Sequence, residues 1–321
     1  MNRREKKKRV RNHFVMNRPV LAMFLVLVLY FILSVAADLL FSGAESPEVS
    51  GESLSGMNLR AAVTTGSQVI TIACSLLILL CFAFWFRGEY SFRSREGMFR
   101  KGLLLTSPLL VIVGLNLLGG EFVSLKEVPK AILFGIAPGL SEEILIRGVN
   151  IPNWMRLHGE HPKKIPAVVF FTSFIFAAAH LMNLLAGAGV GMTLLQVGYA
   201  FGIGALFASA YLRTGSLVWP VIMHSLIDFT AFLHRDIFDN AGVLGTEELA
   251  LDWSLILLAL ETAALITLAF YYIRPAKREE IAAVWKEKWK KIKETVPVTE
   301  GSAEGFTEET KMQGEEKYDG E

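Results

Sequence analysis

Eight apolar runs, most of them near twenty residues long, divide the chain, and its charge is largely confined to the segments between them. They cover approximately 19–41, 61–86, 102–120, 128–147, 165–186, 191–212, 215–233 and 252–273. A hydrocarbon layer about 30 Å thick is crossed by ~20 apolar residues of α-helix. Backbone polar groups in that layer must be satisfied within the protein, and helices do this segment by segment. The expected fold class is therefore all-α: a polytopic membrane helical bundle of about eight transmembrane helices. At 52% hydrophobic and 20% charged, with a mean hydropathy of +0.42, the chain is too apolar for an ordinary soluble domain of 321 residues. The net charge of +1 says little about partners. The lipid bilayer is one, and nucleic acid is not expected.

Charge sets the orientation. The arm "MNRREKKKRVRNHF", the loop "RGEYSFRSREGMFRK", the loop with Arg156, Lys163 and Lys164, the turn at Arg213 and the stretch "RPAKREE" are basic and fall on one side. The alternate segments are acidic or neutral, which places both termini in the cytoplasm of a multi-pass cell-membrane protein. Residues 1–18 form a basic cytoplasmic arm and 19–274 the transmembrane domain. Residues 275–296 read as an amphipathic interfacial helix with Ile281, Trp285, Trp289 and Ile292 on one face. Residues 297–321 read as a disordered acidic tail. The arm precedes a run too long for a cleaved signal peptide, so a retained first span is expected. The two cysteines, Cys74 and Cys81, lie in one run and read as packing thiols.

Ionisable groups inside such runs cost about 2.5–3.5 kcal/mol each on insertion scales and call for a reason. The run at 128–147 ends in "SEEILIR", with Glu142, Glu143 and Arg147. Glu143 and Arg147 are four apart, share a helix face and read as a packing ion pair. Glu142 is rotated about 100° from Glu143 and is left without a local partner. Gly135, Pro138 and Gly139 just upstream suggest a bend. His180 ends the apolar part of the fifth run, and His224 and Asp228 lie four apart in the seventh. The other histidines, His13, His158, His161 and His234, are terminal or in loops. Glu142, His180, His224 and Asp228 come from three helices and suit water activation or metal binding. By depth, His180 is expected further outward than Glu142 and His224.

Three intramembrane protease chemistries lack their motifs here: the site-2 type His-Glu-x-x-His, the rhomboid Gly-x-Ser-Gly setting, and the presenilin type, since Asp38 and Asp228 lie in or near spans but neither follows Gly-x-Gly. The order Glu142-Glu143-x-x-x-Arg147, Phe176-x-x-x-His180, His224-x-x-x-Asp228 resembles the CPBP family: type II CAAX prenyl proteases with their Abi-like and bacteriocin-processing relatives. The resemblance covers about residues 100–235. It implies an intramembrane endopeptidase acting on a membrane protein or lipidated peptide. Glu142 would activate water, and His180 would position that water or bind a metal. His224 would do the same or polarise the scissile carbonyl, and Glu143 and Arg147 would support the helix. The family usually ends its third motif in Asn. Asp228 cannot donate a hydrogen bond when ionised, although it is the better metal ligand. A zinc ion on Glu142, His180, His224 and Asp228 and a metal-free Glu–His pair both fit the residues. Two other readings are a non-catalytic scaffold or immunity protein on the same fold, and a proton-coupled transporter.

Overall fold

The computed structural model describes residues 97–118, 120–158, 161–184, 188–235 and 253–295, Ile237, and scattered helical residues between 21 and 36 and between 69 and 77. The first two apolar runs therefore lie mostly outside the described residues. So do the basic arm, the tail beyond 295 and Cys81, whereas Cys74 is a free, half-buried thiol.

The described elements are helical, with a single isolated bridge between Phe122 and His234. They are α1 (Met98–Thr106), α2 (Leu110–Asn116), α3 (Val128–Glu142), α4 (Asn150–His158) and α5 (Ile165–Ala179). After these come α6 (Val190–Thr214), α7 (Val218–Ala231), α8 (Trp253–Tyr272) and α9 (Pro275–Thr295). Among the described residues, four helical stretches are long and apolar enough to cross a membrane: Met98–Asn116, Pro162–Leu184, Val190–Thr214 and Leu255–Tyr272. They coincide with the third, fifth, sixth and eighth apolar runs. Val218–Ala231 is a shorter apolar helix. Phe170, Phe174, Leu257 and Leu260 project from the outer faces of these helices, as lipid-facing side chains do.

The bundle is centred on α6, whose second half, from Ala200 to Thr214, is almost wholly buried. It contacts α5 and α8, and α3 packs against α7. Glycine sets the α3–α7 distance. A Cβ on Gly135 would lie 2.6 Å from the backbone nitrogen of Phe229, and one on Gly139 would lie 2.6 Å from that of Ser225. Gly135-x-x-x-Gly139 is thus a small-residue seam that lets two backbones touch, which is the usual route to tight helix packing where lipid removes the hydrophobic drive. The sequence reading assigns these glycines to a bend; their role in the fold is close approach.

One expected boundary moves. The segment around Arg156, read as a loop, is helical in α4 as far as His158. Ile151 and Met155 are buried in the main core, so packing extends the helix beyond the polar residues that suggested its end.

Helix α9 also joins the bundle. Ile281 and Trp285 are buried in the main core, and the Trp285 indole donates to the Leu212 carbonyl at 3.1 Å. Glu280 receives Lys101, Arg213 and Lys277, tying α1, α6 and α9 together, and these cations hold its carboxyl below the usual range. The side chains of Trp289 and Ile292 lie outside the described set.

At the other end, Val123 donates its backbone N–H to Leu233 at 2.8 Å and Arg235 donates to Glu121 at 2.7 Å. Arg235 grips both oxygens of Glu127 at 2.8 and 2.7 Å. This clasp fixes the start of α3 against the end of α7.

Candidate active site

Directly after Glu142 the helix widens. Glu143–Val149 form a π-helical segment between α3 and α4. Such segments are rare and recur at functional sites. Pro138, inside α3, lacks the N–H that an α-helix would use four residues back, so the ladder is already interrupted one turn upstream. Every residue of the π segment is buried, including Glu143 and Arg147 at 0% exposure.

The expected ion pair is present. Arg147 Nη1 donates to Glu143 Oε1 at 2.6 Å. The guanidinium also lies 4.1 Å from the Phe176 ring centre, a cation–π contact that offsets part of its desolvation. A Cβ on Gly204 would come within 2.8 Å of Arg147 Nη2 and 3.0 Å of Phe176, so α6 needs glycine at that point.

Glu143 does more than pair with arginine. Its Oε1 also lies 3.0 Å from His224 Nδ1. A carboxylate there accepts from Nδ1–H, which turns Nε2 outward. His224 Nε2 is 3.4 Å from Asp228 Oδ2 and 3.7 Å from Glu142 Oε2. Glu142, which the sequence leaves without a local partner, thus finds one across the helix seam. The imidazole is held by stacking on Phe207, with ring centres 5.5 Å apart, and by the edge of Phe176 at 5.7 Å.

His180 opens the 3₁₀ turn His180–Leu184 that follows α5. Its Nδ1 lies 3.0 Å from the Phe176 carbonyl, which can only accept, so Nδ1 carries the proton and Nε2 is left as an acceptor. The depth difference expected from the sequence does not separate His180 from His224. His180 lines one small cavity with Phe176, His224 and Asp228, and Gln196, Tyr199 and Ile227 also stand in its wall. The cavity measures about 90 Å³, room for about three waters at ~30 Å³ each. Glu142 is not among the lining residues; it reaches the group through His224 Nε2.

Two polar residues of the cavity wall escape the sequence reading, as does a third on α8. Gln196 and Tyr199 are cavity walls on α6, a helix without a recognised motif. Glu261 stands on α8 with a buried Oε1 that has no hydrogen-bond partner among the described residues. A lone carboxylate in an otherwise apolar run was the available signal for Glu261. For Gln196 and Tyr199 there was none, since neither residue type is unusual in a span.

Among the described residues, no group of three or more His, Cys, Asp or Glu side chains is arranged to hold a metal ion. No step below is routed through a metal.

No curated protein and no solved structure matches the chain. Residues 124–230 match the family model described as "Type II CAAX prenyl endopeptidase Rce1-like". The matched segment falls within the 100–235 anticipated from the motifs and contains all of them. The part of the chain that builds the cavity thus carries the match to the Rce1-like type II CAAX prenyl endopeptidases, the family that its three motifs resemble.

Proposed function

We propose that this chain is a multi-pass intramembrane endopeptidase, with both termini cytoplasmic, that hydrolyses a peptide bond in a membrane-associated or lipid-modified protein. The observation that carries the reading is the meeting of Glu142 and Asp228 on one nitrogen of His224, beside a water-sized cavity lined by His180. The match to a protease family supports it.

Glu142, outside the cavity wall but 3.7 Å from His224 Nε2, takes a proton from a water at that edge of the cavity, and the water's other hydrogen is accepted by His180 Nε2. The water oxygen attacks the scissile carbonyl carbon, and the π electrons of the C=O move onto its oxygen. His224, braced by Glu143 at Nδ1, offers Nε2–H to that oxygen. The C–N bond then breaks, and the proton held by Glu142 passes to the leaving nitrogen. The products are an amine and a carboxylic acid, which ionises. Asp228 orients the imidazole and balances its charge. A general base and an electrophile so placed each contribute about 10²–10⁴-fold to such a reaction.

The test is cleavage of a synthetic apolar peptide by the full chain in liposomes made up in ¹⁸O-water. Hydrolysis places one ¹⁸O in the new C-terminus. Absence of any labelled fragment, across a set of peptides with varied residues at the cleavage position, would count against a protease.

A further inference from the structure

Peptide hydrolysis through a tetrahedral intermediate needs hydrogen-bond donors where the oxyanion forms. The cavity is rich in acceptors. Asp228 only accepts when ionised, and His180 presents an unprotonated Nε2 because its Nδ1 donates to the Phe176 carbonyl. Apart from His224, the groups in the wall that can donate are the side-chain amide of Gln196 and the phenol of Tyr199. Of these, the structure fixes Gln196. Asn183 Nδ2, from the turn after His180, donates to Gln196 Oε1 at 2.7 Å. With its oxygen engaged there, the amide keeps its NH₂ group for a second partner.

We infer that Gln196 is a further catalytic residue: its amide N–H donates to the developing oxyanion beside His224 and fills the role that ionised Asp228 cannot. The inference rests on the protease reading above. It makes Asn183 a positioning residue, which acts through Gln196 without touching the substrate.

The probe is a peptide cleaved in the liposome assay, together with its phosphinate analogue, whose tetrahedral anionic centre stands in for the intermediate. Binding of each is measured by titration calorimetry, beside steady-state cleavage. In Gln196→Leu, kcat is expected to fall about 10²–10³-fold, with KM little changed. The phosphinate should weaken by a comparable factor while affinity for the peptide holds. Gln196→Glu keeps the size and a carboxylate offers no donor, so it should behave alike. Asn183→Ala should show a smaller loss of the same kind. The inference is overturned if either Gln196 variant, with its melting midpoint unchanged, loses affinity for peptide and phosphinate equally or loses neither. If Gln196→Leu does not fold, Gln196→Glu decides. If the wild-type protein neither cleaves nor binds any peptide offered, the protease reading fails first and takes this inference with it.

Discussion

One oxygen of Glu143, Oε1, receives both Arg147 Nη1 at 2.6 Å and His224 Nδ1 at 3.0 Å. The two residues most easily dismissed as a helix-packing pair therefore hold the imidazole around which the site is built. Glu143 is wholly buried, and its charge is offset by Arg147, which is in turn covered by Phe176. Support and chemistry are linked through a single atom.

Glu143→Ala leaves the Arg147 guanidinium buried with no counter-charge. Removing one partner of a buried pair costs about 3–5 kcal/mol. A large fall in the melting midpoint in detergent is expected, with part of it recovered by adding Arg147→Leu. Glu143→Gln keeps the shape but removes the anionic acceptor at His224 Nδ1. It should lower kcat by about 10–100-fold, the usual effect of losing a group that orients a working histidine. Unchanged cleavage by Glu143→Gln would reduce Glu143 to packing.

The α3–α7 seam makes a graded prediction. Gly135→Ala or Gly139→Ala drives a methyl to 2.6 Å from backbone nitrogen, which cannot step aside as a side chain could. Overpacking of this kind costs about 1–3 kcal/mol or more and should separate Glu142 from His224, so both stability and cleavage fall. Gly198 on α6 has nothing within 4 Å of its would-be Cβ. Gly198→Ala should leave both intact. Equal tolerance at all three positions, read from melting midpoints, would contradict the seam.

The clasp between α3 and α7 titrates. Hydrogen bonds from Arg235, then Ser124, pull the Glu127 carboxyl down to about 2 from an ordinary 4.5. A carboxyl lowered in the folded state adds stability above its unfolded value and loses it as pH falls through the folded one. The contribution is therefore present at pH 5 and fades between about 4.5 and 2. Glu127 is partly exposed, so the effect is small and screened by salt. Glu127→Gln should flatten the melting midpoint over that window; an unaltered slope would remove the clasp from the account.

Helix α9 is anchored by Trp285, 1% exposed, with its indole on the Leu212 carbonyl and its ring edge against Tyr211 at 5.3 Å. Trp285→Ala should cost about 3–5 kcal/mol, as large-to-small changes in a packed core do. Limited proteolysis should then cut after Arg274 or Lys277 in the variant and not in the wild type. Equal resistance would show that α9 is held elsewhere.

The helices were legible in the sequence because hydrocarbon thickness dictates run length, and all four membrane-length stretches follow the apolar runs to within a few residues. What failed were positions where packing outvotes local pattern. Helix α4 continues past the polar residues because Ile151 and Met155 have a core to enter. Ile281 and Trp285 show the reverse ambiguity: an amphipathic stripe suits a membrane surface and a neighbouring helix equally well. In the site, four-residue spacing sufficed to pair Glu143 with Arg147. It could not reveal that Glu142 faces His224, since that depends on the Gly135 and Gly139 seam and on a π segment with no sequence signature of its own. Gln196 was invisible for a related reason, as its place follows from how α6 lies against His180.

The central claim is that Glu142 activates water beside His224. The most direct measurement is cleavage of the liposome-embedded peptide by Glu142→Gln, a change that keeps size and hydrogen bonding but abolishes basicity. A loss of kcat of about 10³-fold or more, with the melting midpoint and peptide affinity retained, is the predicted result. Cleavage by Glu142→Gln within a few-fold of the wild type would contradict it and move the base elsewhere in the cavity, with Asp228 the first residue to try.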